Sequence, residues 1–144
     1  MKLPAALRRV PPKAGVMAGA LIAMGVLHFV APRPFDSIIP RVLPEATRRP
    51  LTYASGAAEI VCGVLLLMPR TRALGGRLTM VLLVLVLPAN VDAALRGGYP
   101  IDGVLGSPAA AWLRVPLQIP MIMVARSIES GARAATTGRQ RTPD

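Results

Sequence analysis

The chain has 144 residues, of which 53% are apolar and only 3% aromatic, and its formal net charge is +10. Such a composition is unusual for a small soluble domain, and the cations fall between and outside the apolar runs rather than along one face, which disfavours nucleic-acid binding. The single cysteine, Cys62, excludes an intrachain disulfide and a CxxC redox pair. The sequence therefore predicts an integral membrane protein with the lipid bilayer as its surroundings and no nucleic-acid partner.

Residues 1–13 form a basic segment before the first apolar run, which is the outline of a signal peptide. The nearby candidate cleavage sequence, Phe29-Val-Ala31, has phenylalanine where a small residue is needed. We therefore predict a retained first span over about residues 14–30, preceded by a basic cytoplasmic N-terminus.

The connection after this span, Pro32–Pro50, is rich in proline but carries a helical apolar stripe. The stripe follows the i, i+3, i+4, i+7, i+8 spacing and consists of Phe35, Ile38, Ile39, Val42 and Leu43. Because Pro40 and Pro44 would interrupt a helix, the pattern predicts a short interfacial segment that lies over the bundle.

The second span, predicted at residues 51–68, is the stretch around which the chain is organised. Its residues are apolar or small apart from Glu59, and at about 1.5 Å per residue they nearly cross a hydrocarbon core of about 30 Å. An ionisable side chain at this depth costs about 2.5–3.5 kcal/mol, so Glu59 should face protein or a water-filled cavity and have a partner.

A basic turn, Pro69–Arg77, leads into the third span, which we predict at about residues 78–95. Pro88 should bend this helix one turn before the polar residues Asn90 and Asp92.

Ser107 followed by Pro108 resembles a helix N-cap, so a fourth span is predicted at about residues 108–124. Pro116 and Pro120 share one face and imply curvature. The remaining residues, 126–144, are small, polar and basic, and we predict a flexible cytoplasmic tail.

The distribution of lysine and arginine predicts the orientation. Eleven of these residues lie in the N-terminal segment, the turn between spans two and three, and the tail, whereas six lie in the opposite loops and outer helix ends. Cytoplasmic loops carry the excess of positive residues, so both termini should be cytoplasmic.

An up-down arrangement of four spans brings the unusual polar residues to a common level in the outer half of the bundle. This predicted intramembrane site consists of His28, Ser55, Glu59, Asn90, Arg114 and Gln118. Arg114 is the predicted partner of Glu59, since a guanidinium can bind a carboxylate with two parallel hydrogen bonds, and His28 is the alternative partner.

Two interpretations of this site stay open. A buried Glu–Arg pair can serve only to fix the packing of four short helices. Alternatively, the residues form a polar-headed pocket, open to the extracytoplasmic side, that takes a headgroup, a quinone-like carbonyl or a proton. A metal site has little support because the chain has one histidine.

These residues lie within short motifs whose order and spacing resemble small DoxX-like membrane proteins over roughly residues 15–125. The matching pieces include His28-Phe29, Ser55-Gly56-x-x-Glu59, Pro88-Ala89-Asn90 and Trp112-Leu-Arg114-x-Pro116-Leu-Gln118. The resemblance implies an all-α four-helix bundle in the bacterial inner membrane.

The DoxX-like family has been linked to redox systems, including a thiosulfate:quinone oxidoreductase subunit and complexes of thiol and oxidative-stress defence. The resemblance thus implies a redox-associated accessory or quinone-interacting subunit, rather than a complete enzyme, that works with a partner membrane or redox protein. It implies no built-in cofactor, with a quinone as the candidate ligand. The alternatives are a binding or transport module for a small lipid-like ligand and an assembly factor without a ligand.

Overall fold

The computed structural model describes residues 10–99 and 103–140, and this part of the chain is helical with no strand. The elements are α1 (Pro12–Val30), α2 (Pro32–Asp36), α3 (Glu45–Leu67), α4 (Arg72–Leu95), a 3-10 turn (Val104–Gly106) and α5 (Pro108–Gln140). The predicted all-α class is confirmed for these residues. The helices α1, α3, α4 and α5 are each long and apolar enough to cross a membrane.

Two helices begin earlier than the apolar runs indicate. Helix α3 starts at Glu45 rather than at residue 51, and it contains Pro50. Proline has no backbone N–H group, so the helix lacks one hydrogen bond near its start but continues. Helix α4 starts at Arg72 rather than at residue 78. Its Gly75 and Gly76 are helical because they are buried against the backbones of the neighbouring helices, which offsets their low helix propensity.

Helix α5 starts at Pro108 as predicted, where the Ser107 hydroxyl accepts a hydrogen bond from the Ala110 amide at 3.2 Å. It continues to Gln140, so residues 126–140 are helical rather than a flexible tail. Ala125 and Ile128 are buried, and this packing extends the helix beyond the apolar run. The predictions for residues 1–9 and 141–144 lie outside the described residues.

The long helices form two tightly packed pairs, α1 with α3 and α4 with α5, which we call the first and second pair. The contact between α3 and α4 is looser, and α1 touches α5 only slightly. Close approach in the first pair depends on glycines: a Cβ atom added to Gly56 would lie 2.6 Å from the Cβ of His28 and 2.9 Å from the Gly25 carbonyl oxygen. Small residues allow this backbone contact.

The short turn between α3 and α4 is closed by side chains. The buried Arg72 guanidinium donates hydrogen bonds to the carbonyl oxygens of Leu66, at 2.9 Å, and Leu67, at 3.0 Å. The Thr71 hydroxyl donates to the Leu65 carbonyl at 3.0 Å. These carbonyls belong to the last turn of α3, where no intrahelical donor is present.

Polar ties join the two pairs at both ends. At one end the Lys13 ammonium group of α1 donates to the hydroxyl of Ser127 on α5 and to its carbonyl oxygen. At the other end the Arg96 guanidinium, next to α4, donates to the carbonyl oxygens of Ser37, at 3.0 Å, and Ile38, at 3.3 Å. The space between these ties is where the site lies.

Candidate functional site

A cavity of about 390 Å³ lies between the two helix pairs, and all six residues of the predicted site line it. The structure thus brings together side chains that are up to 90 positions apart in the chain, from His28 to Gln118. Thr52, which is 1% exposed and was not predicted, joins them at the polar end of the cavity.

The remaining wall of the cavity is apolar and comes from all four long helices and the segment after α1. It consists of Met17, Ala20, Leu21, Met24, Phe35, Ile38, Ile39, Leu82, Leu83, Val86, Ala89, Leu117 and Met121. A volume of this size, an apolar wall and a few convergent polar groups are the usual features of a small-molecule site.

Glu59 lies beside His28 and not beside Arg114. Its Oε2 atom is 3.4 Å from Nδ1 of His28, and the glutamate side chain is 16% exposed. The same Nδ1 lies 2.8 Å from the carbonyl oxygen of Met24, which can only accept, so Nδ1 carries a proton and donates it there. Glu59 Oε2 is buried and has no hydrogen-bond partner in the described part of the chain.

The predicted Glu59–Arg114 pair is therefore wrong, and the alternative partner, His28, is the one observed. The Arg114 guanidinium instead lies over the ring of Tyr99, 4.2 Å from its centre. The Tyr99 hydroxyl in turn donates to Oδ1 of Asn90 at 3.2 Å. Sequence reasoning missed Tyr99 because it lies in a loop, where no helical spacing places it against a span.

Gln118 is 5% exposed and reaches the backbone of α4. Its Nε2 atom donates to the carbonyl oxygen of Leu83 at 3.2 Å, whereas its Oε1 atom is buried without a partner among the described residues. Ser55 lies on α3, one turn before Glu59, and is half-buried at the cavity wall.

Residues 32–39, which we call the lid, cover the polar end of the cavity. The Phe35 ring stacks on His28 with 3.7 Å between ring centres, and Ile38 and Ile39 line the cavity. Val42 and Leu43, the other two residues of the apolar stripe, do not line the cavity and are 89% and 39% exposed. Helix α2 ends at Asp36, so the helical spacing that would place them on the same face does not extend that far.

The lid is held by an ion pair as well as by Arg96. The Arg49 guanidinium lies 2.7 Å from Oδ2 of Asp36. Burial raises the pKa of Asp36, but Arg49, Thr52 and the positive charge of Arg48 together lower it by more, so this carboxyl has a pKa below its ordinary value. Asp36 is consequently an ionised anchor for the lid at neutral pH.

Within residues 10–99 and 103–140, no three His, Cys, Asp or Glu side chains are grouped so that they could hold a metal ion. Cys62 is 4% exposed and belongs to an apolar cluster with Met17, Leu21 and Leu66. Its surroundings are those of a small buried apolar residue.

Residues 17–129 match a known protein family. The family described as "Domain of unknown function (DUF8561)" matches residues 17–129, a range that contains the lid and all six residues of the predicted site. No curated protein and no solved structure matches the chain.

Proposed function

We propose that this chain, which belongs to the DUF8561 family, is a membrane protein that binds a small quinone-like amphiphile between its two helix pairs. The observation that carries the proposal is the cavity of about 390 Å³, in which seven polar side chains interrupt an otherwise apolar lining. A ligand with a polar ring head and an apolar body matches a lining of both kinds.

The membrane setting is supported by the outward faces of the helices. Large apolar side chains point away from the protein on each long helix, including Val16 at 75%, Val61 at 53%, Leu85 at 70% and Met123 at 65% exposed. So many exposed large apolar side chains are unfavourable in water and are expected in contact with hydrocarbon.

We propose an up-down arrangement in the bacterial inner membrane with both termini cytoplasmic. The contacts of the first pair support opposite helix directions, since Gly25 lies against Gly56 and Ala18 lies against Gly63. A reporter inserted in the turn at residues 69–71 should give a cytoplasmic signal, and one inserted at residues 97–98 an extracytoplasmic signal. The reverse result at both positions would contradict the orientation derived from the positive residues.

A quinone-like ligand fits the shape and the chemistry of the cavity lining. Met24 and Met121 are flexible apolar side chains that adapt to a ring, while Phe35 of the lid adds an aromatic side chain to the cavity lining. The polar groups at the lid end can hydrogen-bond oxygen atoms on that ring. The DoxX-like resemblance adds the proposed role, a redox-associated accessory subunit that holds the ligand for a partner membrane protein.

Binding is tested with the full chain in detergent and a decyl-substituted benzoquinone. The variant Ala20→Phe places a ring in the cavity wall and should weaken binding at least tenfold, because it fills space that the ligand needs. The matched control is Ala23→Phe, three residues along the same helix, at a position that is exposed but does not line the cavity. Its affinity should equal that of the wild type.

Mass spectrometry of the purified protein distinguishes the alternatives. A co-purified quinone supports the proposal. A co-purified phospholipid that Ala20→Phe removes would instead support a binding or transport module for a lipid-like ligand. Absence of both, together with no measurable quinone binding, would leave an assembly role without a ligand.

A further inference from the structure

We infer that the cavity selects a ligand whose head donates hydrogen bonds, and that among quinone-like amphiphiles it prefers the reduced, dihydroxy form. The inference rests on the proposed function, since it concerns the same cavity. It follows from the donors and acceptors that the described residues leave unused at the polar end.

The first unused group is the Gln118 carbonyl oxygen. The amide orientation is fixed because Nε2 donates to the Leu83 carbonyl, which has no proton to give in return. Oε1 is therefore an acceptor, and it is buried without a donor among the described residues in a side chain that is 5% exposed. A buried acceptor without a donor is unfavourable, so a ligand that supplies a donor gains binding free energy.

The second unused group is Glu59 Oε2, on the opposite helix pair. His28 is its nearest basic neighbour, but the Nδ1 proton of His28 is directed to the Met24 carbonyl at 2.8 Å, and Glu59 lies farther away at 3.4 Å. This carboxyl oxygen thus also lacks a hydrogen-bond partner within the described chain. Two unpartnered oxygens, one from each pair, line one cavity together with the unpartnered Thr52 hydroxyl, which can donate or accept.

A ring with two hydroxyl groups meets both requirements, whereas a ring with two carbonyl groups has no proton to donate. A hydroxyl oxygen can also accept a hydrogen bond from the Arg114 guanidinium, which lines the same cavity. A cationic ammonium head would donate as well and Glu59 would attract it, but Arg114 repels it and it has no lone pair to accept a hydrogen bond from that guanidinium. The neutral dihydroxy head is therefore the best match.

The test compares three forms of one decyl-substituted ring under anaerobic conditions with the full chain in detergent: the quinone, the hydroquinone and the dimethyl ether of the hydroquinone. The hydroquinone should bind at least tenfold more tightly than the quinone, which corresponds to a rise of about 30 mV in the potential of the bound two-electron couple. The dimethyl ether has no donor protons and should bind no better than the quinone.

The variant Gln118→Met removes one acceptor at similar side-chain volume. It should reduce the ratio of hydroquinone affinity to quinone affinity several-fold, and a helical circular dichroism spectrum equal to that of the wild type shows that the variant is folded. Equal or tighter binding of the quinone, tight binding of the dimethyl ether, or tighter binding of decylamine would overturn the inference and leave the proposed function intact. If none of the compounds binds, the proposed function fails, and the inference fails with it.

Discussion

Replacing Gly56 with valine should lower the free energy of unfolding by about 3 kcal/mol, because a side chain at this position has no space. Its Cβ atom would lie 2.6 Å from the Cβ of His28, 2.9 Å from the carbonyl oxygen of Gly25 and 3.1 Å from the ring of Phe29. The Gly25 oxygen is a backbone atom, and the His28 Cβ atom does not move when the side chain changes rotamer. A change of rotamer therefore cannot relieve these two contacts. Helices α1 and α3 must move apart.

The measurement is the loss of helical circular dichroism as a denaturing detergent is titrated into the micelles. The matched control is Gly19→Val on α1, where an added Cβ atom meets nothing within 4 Å. Its stability should stay within about 0.5 kcal/mol of the wild type, as for exposed substitutions in general. Equal losses at both positions would mean that β-branching, and not close approach, causes the effect.

His28→Leu should also lower stability, by about 2–3 kcal/mol, since it removes the hydrogen bond to the Met24 carbonyl and replaces the polar ring 3.4 Å from the buried Glu59 carboxyl with an apolar side chain. Glu59→Leu removes the buried polar group itself and should cost less. The double variant should therefore be more stable than His28→Leu alone, with a coupling free energy of about 2 kcal/mol between the two residues.

The same cycle with Arg114→Met in place of His28→Leu is the control. Arg114 lies over Tyr99 and is not an ion-pair partner of Glu59, so its effect should add to that of Glu59→Leu within about 0.5 kcal/mol. A large coupling free energy between Glu59 and Arg114, with none between Glu59 and His28, would mean that Arg114 is the partner of Glu59, as first predicted from the sequence.

The helices and the grouping of the polar residues could be predicted because each depends on a property that a sequence displays directly. Four apolar runs separated by prolines, glycines and cations determine which segments are helical. The positions of Glu59, Asn90 and Gln118 within those runs determine their level along the helix axes, and the cavity brings them together.

The errors arose where tertiary contact overrides local pattern. The glycines at 75 and 76 are typical of a loop, yet the backbones of α3 and α5 approach them closely, and α4 includes them. The polar tail is helical because Ile128 is buried among side chains of α1 and α3. The Arg114 guanidinium lies over the ring of Tyr99. Because Tyr99 is in a loop, no helical periodicity predicts where its ring lies.

The ties at the two ends of the helix pairs have a consequence for how a ligand reaches the site. The Lys13–Ser127 contact closes one end, and Arg96 with the lid closes the other, so the pairs are least restrained along their flanks. We expect a ligand to enter sideways between the helices, directly from the hydrocarbon phase. Its occupancy would then follow its concentration in the lipid, and a longer alkyl chain would raise occupancy through partitioning without any new contact to the protein.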